Sequence, residues 1–181
     1  LLISNRFMNV RFKIKNGIDF DVRKYAEAAA REVENLVVKH LRKKNRETPP
    51  KSGMPKSGYY GEAAKEVSSD VSGKKVEVTV SHPGIALHYF GGTVRPKPGK
   101  KALAIPLDPS VAEIWPSEDT GDHLALIWPR NSDHGFLKDE ETSDLLWLLV
   151  PKATIPSDPT VLPSDAEILA AAESMLMKGV R

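Results

Sequence analysis

The chain has 181 residues, of which 40% are hydrophobic and 28% are charged, as is ordinary for a folded protein with a core of its own. Its formal net charge is only +2, so nucleic-acid binding would have to depend on local clusters of basic residues. Cysteine is absent, which excludes disulfides, thiolate nucleophiles and zinc–thiolate sites. No apolar run approaches the roughly 18–20 residues that cross a bilayer, so we expect no membrane segment.

The first elements are a strand and a long helix. Apolar and polar residues alternate over residues 8–15, which predicts a half-buried strand. Asp19 or Asp21 can then cap a helix that runs to about Lys44. Its apolar face is predicted from positions three and four residues apart, namely Val22, Tyr25, Ala26, Ala29, Val33, Leu36, Val37 and Leu41.

Residues 45–58 interrupt this pattern with three prolines, two glycines and several basic side chains. We therefore predict an exposed, mobile basic arm over these residues. Residues 59–67 read as a helical turn that leads into a strand. Residues 75–81 alternate again and predict a further strand.

The centre of the chain predicts a presented loop over residues 91–101. A short apolar run at 85–90, placed at a strand end, precedes Gly91 and Gly92, which allow a positive φ or a close backbone approach. The next residues, 93–101, carry four positive charges and are stiffened by two prolines, and 103–107 predict a buried strand. A stiff basic tip held at both ends by apolar anchors is typical of a binding loop.

The last third predicts a helical turn opened by Asp108, strands at 124–128 and 145–154, and a strand that starts at Phe136. Proline recurs over 155–163, which predicts an extended Pro-rich arm. Ser164 and Glu167 form a capping box for a closing helix. The fold class predicted is α+β, a single domain over 1–181 with an antiparallel or mixed sheet packed against a long N-terminal and a C-terminal helix, with extended arms.

Residues suited to catalysis are scattered along the chain. The histidines are His40, His82, His88, His123 and His134. A metal site built from separate segments stays open, although isolated histidines near loops are usually solvated or structural. No serine lies in a nucleophile elbow, and Gly91-Gly92 lacks the spacing of a phosphate-binding loop. We therefore predict no catalytic residue, no metal ligand and no cofactor.

Basic and aromatic residues are the stronger signal. One basic group lies at 42–56 and the other at 95–101. Such groups serve solubility alone, or they contact nucleic-acid phosphates or an acidic protein surface. Trp115, Trp128 and Trp147 either fill the core or, for the first two, anchor an interface.

The segments FGGTVRPK (90–97) and KALAIPL (101–107) resemble the corresponding segment of tailed-bacteriophage virion morphogenesis proteins, the tail-completion, head–tail joining and minor tail class. The resemblance continues in SGYYGEAA (57–64), HPGIA (82–86), LVPKAT (149–154) and DPTVLP (158–163). In this order the segments cover roughly residues 50–175.

The resemblance implies a structural protein of a phage or prophage, not an enzyme, that acts in virion assembly at the neck or tail terminus. It implies a homo-oligomeric ring, with a hexamer as one candidate size, and contacts with other neck, tail or connector proteins. The expected location is the virion, assembled in the bacterial cytoplasm. The N-terminal arm and residues 116–139 match loosely, so head side or tail side stays open.

We expect residues 45–58, 91–101 and 155–163 to contact neighbouring subunits. The interface residues predicted are Phe90, Gly91, Gly92, Arg95, Lys97, Lys100, Lys101, Lys51 and Lys56. Two other function classes stay open. One is a nucleic-acid-binding accessory protein that uses the basic segments. The other is a histidine-dependent metal hydrolase. In the phage ring, contact of the basic segments with DNA in the ring lumen also stays open.

Overall fold

The computed structural model of the chain describes residues 10–14, 22–50, 53–72, 75–118 and 123–178. The α-helices in these ranges are α1 (Val22–Glu47), α2 (Tyr59–Ala63), α3 (Ile85–Phe90) and α4 (Asp165–Lys178). The strands are β1 (Val10–Ile14), β2 (Val67–Ser72), β3 (Lys75–Val80), β4 (Gly92–Val94), β5 (Leu103–Pro106), β6 (Leu124–Ile127), β7 (Gly135–Asp139), β8 (Leu145–Val150) and β9 (Ala153–Ile155). Two 3-10 turns lie at Pro109–Val111 and Pro159–Val161.

The chain divides into two compact units. Unit 1 comprises Leu1–Thr48, Gly58–Gly91 and Pro156–Arg181, and unit 2 comprises Pro49–Ser57 and Gly92–Ile155. Each unit holds its own cluster of buried apolar side chains. The single domain over residues 1–181 stays a prediction.

Helix α1 supplies the largest part of the unit 1 core. Its buried residues recur at the helical spacing predicted for one apolar face, namely Ala29, Ala30, Val33, Val37 and Leu41. Burying a valine or leucine side chain of this kind stabilises the fold by about 1.5–3 kcal/mol. The helix continues to Glu47, past the end predicted at Lys44, and stops before Pro49 because a residue that precedes proline disfavours helical backbone.

The sheet of unit 1 has the order β1-β3-β2, and both pairings are antiparallel. The central strand β3 alternates as predicted, with Val76, Val78 and Val80 buried towards the helices. Helix α1 contacts β2 and β3, and α4 packs along α1. Strand β1 confirms the predicted first strand over Val10–Ile14, whereas residues 8, 9 and 15 and the caps Asp19 and Asp21 lie outside the described residues.

The prediction of an extended arm over 155–163 is wrong for its second half. Val161 and Leu162 are fully buried in the unit 1 core, and Pro163 is buried beside them. The Asp158 side chain caps the 3-10 turn by accepting a hydrogen bond from the Thr160 amide at 3.0 Å. Proline density suggested an arm, but the two apolar side chains after the turn bind this segment to the core.

The predicted capping box at the start of α4 is confirmed. The Ser164 amide donates to the Glu167 carboxylate at 2.8 Å, and the Glu167 amide donates to the Ser164 hydroxyl at 3.3 Å. These two hydrogen bonds start the helix that places Ile168 and Ala172 in the core.

Unit 2 contains a four-stranded antiparallel sheet with the order β5-β8-β7-β6 and a separate pair, β4-β9. Val111, Leu146 and Trp147 form its buried cluster. Asp108 caps the 3-10 turn before Val111, as predicted, by accepting from the Ser110 amide at 2.8 Å. The strand predicted at 145–154 is two strands, because Pro151 and Lys152 separate β8 from β9.

The apolar run at 85–90 is helix α3 and not a strand end. Ile85 and Ala86 are buried, and Tyr89 packs against the same core one helical turn later. Such a short apolar run does not distinguish helix from strand by its pattern. With the long N-terminal helix, the C-terminal helix and the antiparallel sheets, the predicted α+β class is confirmed.

Candidate functional site

The presented loop is anchored at both ends within unit 2. Strand β4 enters it and pairs with β9, so that Gly92 lies opposite Ile155. Strand β5 leaves it and pairs with β8, so that Leu103 lies opposite Val150. The residues between these anchors, 95–101, form what we call the basic tip.

A reverse turn fixes the end of the basic tip. The Lys100 amide donates to the Lys97 carbonyl at 3.0 Å, and Gly99 has a φ of +83°. Proline at the second position of a turn and a glycine with positive φ at the third are the signature of a type II turn. Pro98 and Gly99 therefore stiffen the tip, as the sequence predicted.

The four basic side chains of the tip, Arg95, Lys97, Lys100 and Lys101, are all exposed. In the part of the chain that the structure describes, none of the four forms an ion pair. Their charges are therefore available to an external anionic surface, screened only by salt.

The other predicted interface residues are divided between the two units. Phe90 is 59% exposed and Gly91 follows it as the last residue of unit 1, whereas Gly92 is the first residue of unit 2. Gly91 has φ 73° and ψ 171°, a conformation that essentially only glycine adopts. Of the two uses that the sequence allows for these glycines, Gly91 takes the positive φ.

The predicted basic arm over 45–58 is partly helix. Residues 45–47 complete α1, and 48–50 and 53–58 are irregular and mostly exposed. Lys56 is exposed in this irregular stretch and belongs to unit 2, as the basic tip does. Lys51 lies outside the described residues.

Sequence reasoning missed a cluster of aromatic rings in unit 1. The Tyr59 ring centroid lies 4.7 Å from that of His82, 4.9 Å from that of His88 and 5.2 Å from that of Tyr60. Gly84 completes the cluster, since a Cβ there would clash with the Tyr59 hydroxyl. Burial raises the pKa of Tyr59 and lowers that of His88, so both side chains are neutral near pH 7.

An ion pair borders this cluster. The Lys44 ammonium donates to the Asp158 carboxylate and to the Thr160 hydroxyl, each at 2.7 Å, and lies 5.9 Å from the centroid of the Tyr60 ring. The hydrogen bond from Lys44, followed by that from Thr160, lowers the pKa of Asp158 to about 2. The sequence signal for the capped turn at Asp158 is a repeated motif, since Asp-Pro-Ser-Val at 108–111 recurs as Asp-Pro-Thr-Val at 158–161.

Of the remaining histidines, His40 lies 3.0 Å from the Thr160 carbonyl oxygen, and the other two each lie beside one carboxylate. His134 is 3.1 Å from Asp133, and His123 is 3.7 Å from Asp139. Among the described residues, no three histidine, aspartate or glutamate side chains are grouped so that they could hold a metal ion. The metal-hydrolase alternative therefore gains no structural argument from these side chains.

The three tryptophans separate into two classes. Trp147 is buried in the unit 2 core, whereas Trp115 and Trp128 are exposed. The core alternative thus holds for Trp147, and an interface role for Trp115 and Trp128 stays a prediction. Within the described ranges, no helix has the length and apolar character needed to cross a membrane.

Comparison of the chain with protein-family models, curated proteins and solved structures gives no match.

Proposed function

We propose that this chain is a structural protein of a tailed bacteriophage or prophage that acts in virion assembly at the neck or tail terminus, as a tail-completion or head–tail joining protein. The class comes from the resemblance in residues 90–97 and 101–107 and the segments that extend it. The proposed activity is assembly, with copies arranged in a ring that contacts other neck, tail or connector proteins in the virion.

The observation that carries the proposal is the basic tip. It is fixed by a turn, anchored by two paired strands and exposes four positive charges that form no ion pair with any described residue. A loop that is already ordered loses little conformational entropy when it docks. Positive charge on such a loop accelerates encounter with an acidic surface and fixes the orientation of the partner.

The burial of residues 161–163 changes the set of proposed contacts. Val161 and Leu162 belong to the core of unit 1 and cannot reach a neighbour without unfolding it. The proposed assembly contacts are therefore the presented loop and the exposed irregular stretch that contains Lys56.

Deleting the gene from a lysogen that carries it tests the assignment to virion assembly. After induction, electron microscopy should show filled heads and separate tails, and a plasmid copy should restore joined particles. Antibody against the chain should label the neck or tail end of complete particles. Joined, infectious particles from the deletion strain would contradict the proposal.

Nucleic-acid binding is the second candidate function, because four exposed cations that pair with no carboxylate in the described ranges also suit phosphate. If all four contacted phosphate, the logarithm of the affinity for duplex DNA would fall with the logarithm of salt at a slope of about −3.6. Fluorescence anisotropy over a salt series measures this slope. No binding at low salt would remove this candidate.

A further inference from the structure

The two end strands of the four-stranded sheet in unit 2 differ in how open their outer edges are. Leu107 donates its amide hydrogen to the Leu146 carbonyl at 2.8 Å, so the alternation of the ladder directs Ala104 and Pro106 of β5 outward. Pro106 has no amide hydrogen to offer there. Proline on an edge strand is a common protection against further pairing.

The outer edge of β6 carries no such protection. The Glu140 amide donates to the His123 carbonyl at 2.7 Å, so the same alternation turns Ala125 towards β7 and directs the amides and carbonyls of Leu124 and Leu126 outward. Strand β6 contains neither proline nor charge. Among the described residues, no strand pairs with this edge.

A row of apolar side chains crosses the sheet and ends uncovered at β6. Trp147 of β8 lies opposite Leu137 of β7, which lies opposite Leu126 of β6. Residues directly opposite each other share one face of a sheet. The exposed fraction rises along this row from 1% at Trp147 to 62% at Leu126, so the Leu126 side chain is left uncovered at the outer end of the row.

An exposed tryptophan extends this edge. Trp128 follows β6 directly, and its indole N–H donates to the Ser132 carbonyl at 3.1 Å. Its ring packs on Gly135, where a Cβ would clash with it. The indole is thus held in place while much of its surface remains exposed, which is typical of an aromatic anchor at an interface.

We propose that the outer edge of β6 pairs with β6 of a second copy of this chain, antiparallel about a two-fold axis at Leu126. Leu126 then lies opposite its own equivalent, and Leu124 lies opposite Trp128 of the second copy. No charged residue of the strand faces a like charge, because β6 has none.

A second copy suits this edge better through β6 than through β5. A β6–β5 contact between copies would meet Pro106, which cannot donate to the new ladder. The β6–β6 contact uses the same residues on both copies, so it closes on itself as a dimer. It is separate from the basic tip and does not depend on the proposed function.

Cysteine cross-linking tests the pairing directly, because the chain has no cysteine of its own. Opposed residues in a hydrogen-bonded antiparallel pair have Cα atoms about 5.5 Å apart, within disulfide range. Leu126→Cys should therefore form a disulfide-linked dimer rapidly under mild oxidation. Leu169→Cys, at a leucine of α4 that is 48% exposed, is the matched control and should link slowly. Equal rates for the two variants would overturn the proposal.

Sedimentation of the full chain gives the second readout. We expect a dimer whose dissociation constant rises about tenfold or more in Leu126→Lys, since two like charges would then face each other. Leu169→Lys should leave the dissociation constant unchanged. A monomer at concentrations up to about 100 µM, or a dimer that Leu126→Lys does not weaken, would overturn the proposal. The monomer result would leave the edge to a strand of a different protein, and the unweakened dimer would place the contact between copies elsewhere on the chain.

Discussion

The basic tip at 95–101 and the Pro-rich segment at 155–163 were both predicted to contact neighbouring subunits, and their structures differ. Both contain prolines and both follow a short strand. The basic tip is exposed along nearly its whole length, whereas the Pro-rich segment ends in three buried residues. Proline stiffens both segments, so the difference must come from the residues beside the prolines.

Those neighbouring residues are charged in one segment and apolar in the other. The basic tip has Arg95 and three lysines, whose burial without partners would cost several kcal/mol each. The Pro-rich segment has Val161 and Leu162, which gain about 1.5–3 kcal/mol each when buried. Asp158 caps the turn before these two residues and pairs with Lys44, and both contacts orient the segment so that Val161 and Leu162 point into the core.

The largest expected effect comes from removing an apolar residue of the Pro-rich segment. Leu162 is 2% exposed, so Leu162→Ala should lower the free energy of unfolding by about 2–5 kcal/mol through lost burial and a cavity. Urea denaturation measures the loss. Leu169→Ala is the control on α4, where we expect a change below about 0.5 kcal/mol. Equal losses for the two variants would mean that the segment is not bound to the core.

The next largest loss of stability should come from backbone strain, when Gly91 at the start of the presented loop is replaced. Gly91→Ala forces a side chain into φ 73° and ψ 171° and should cost about 1–3 kcal/mol. Gly92→Ala is the matched neighbour in β4, and its φ is not positive. Thermal melts of both variants compare them, and a larger loss for Gly92→Ala would contradict the account of this corner.

A smaller loss of stability is expected when the aspartate that caps each of the two 3-10 turns is removed. Asp158→Ala removes a cap and the partner of Lys44, and should cost about 1 kcal/mol, most of it from the cap because an ion pair whose carboxylate side chain is 41% exposed adds little. Asp108→Ala removes the corresponding cap alone and should cost less. Urea denaturation of both variants tests the order, and equal losses would mean that the Lys44 contact has no effect.

The pH dependence isolates the ion pair further. Hydrogen bonds from Lys44 and then Thr160 lower the pKa of Asp158 from its ordinary value of 3.8 to about 2. Its contribution is therefore fully present above about pH 4 and lost as the pH falls towards 2. The stability difference between wild type and Asp158→Asn should shrink across that window. A difference that stays constant down to pH 2 would show that the carboxylate charge is not involved.

The sequence predicted the elements whose pattern is long or chemically specific. The periodicity of α1, the alternation of β3 and the capping box at Ser164 each repeat one physical requirement over several residues. It failed where a short segment depends on distant partners. Helix α3 and the burial of Val161 and Leu162 depend on a core made by other elements, which no local pattern encodes.

The candidate site was predictable to the same degree. The turn at Pro98-Gly99 and the positive φ of Gly91 follow from glycine and proline chemistry at those positions. The ring cluster around Tyr59 was not predictable, because Tyr59, His82 and His88 come from separate elements that only the fold brings together.

The smallest expected change in stability belongs to the basic tip. Replacing Arg95, Lys97, Lys100 and Lys101 with serine removes no core contact, so each change should alter the free energy of unfolding by less than about 0.5 kcal/mol. A matched variant replaces four exposed basic residues elsewhere, Lys24, Arg31, Lys39 and Lys152, with serine. Both variants lose the same charge, and thermal melts establish that both fold.

Complementation of the gene deletion by these two variants tests the central claim, that the basic tip is an assembly contact. The tip variant should melt close to wild type and yet leave heads and tails unjoined, because docking loses its electrostatic attraction. The matched variant should restore joined particles. A normal yield of joined particles from the tip variant would contradict the account.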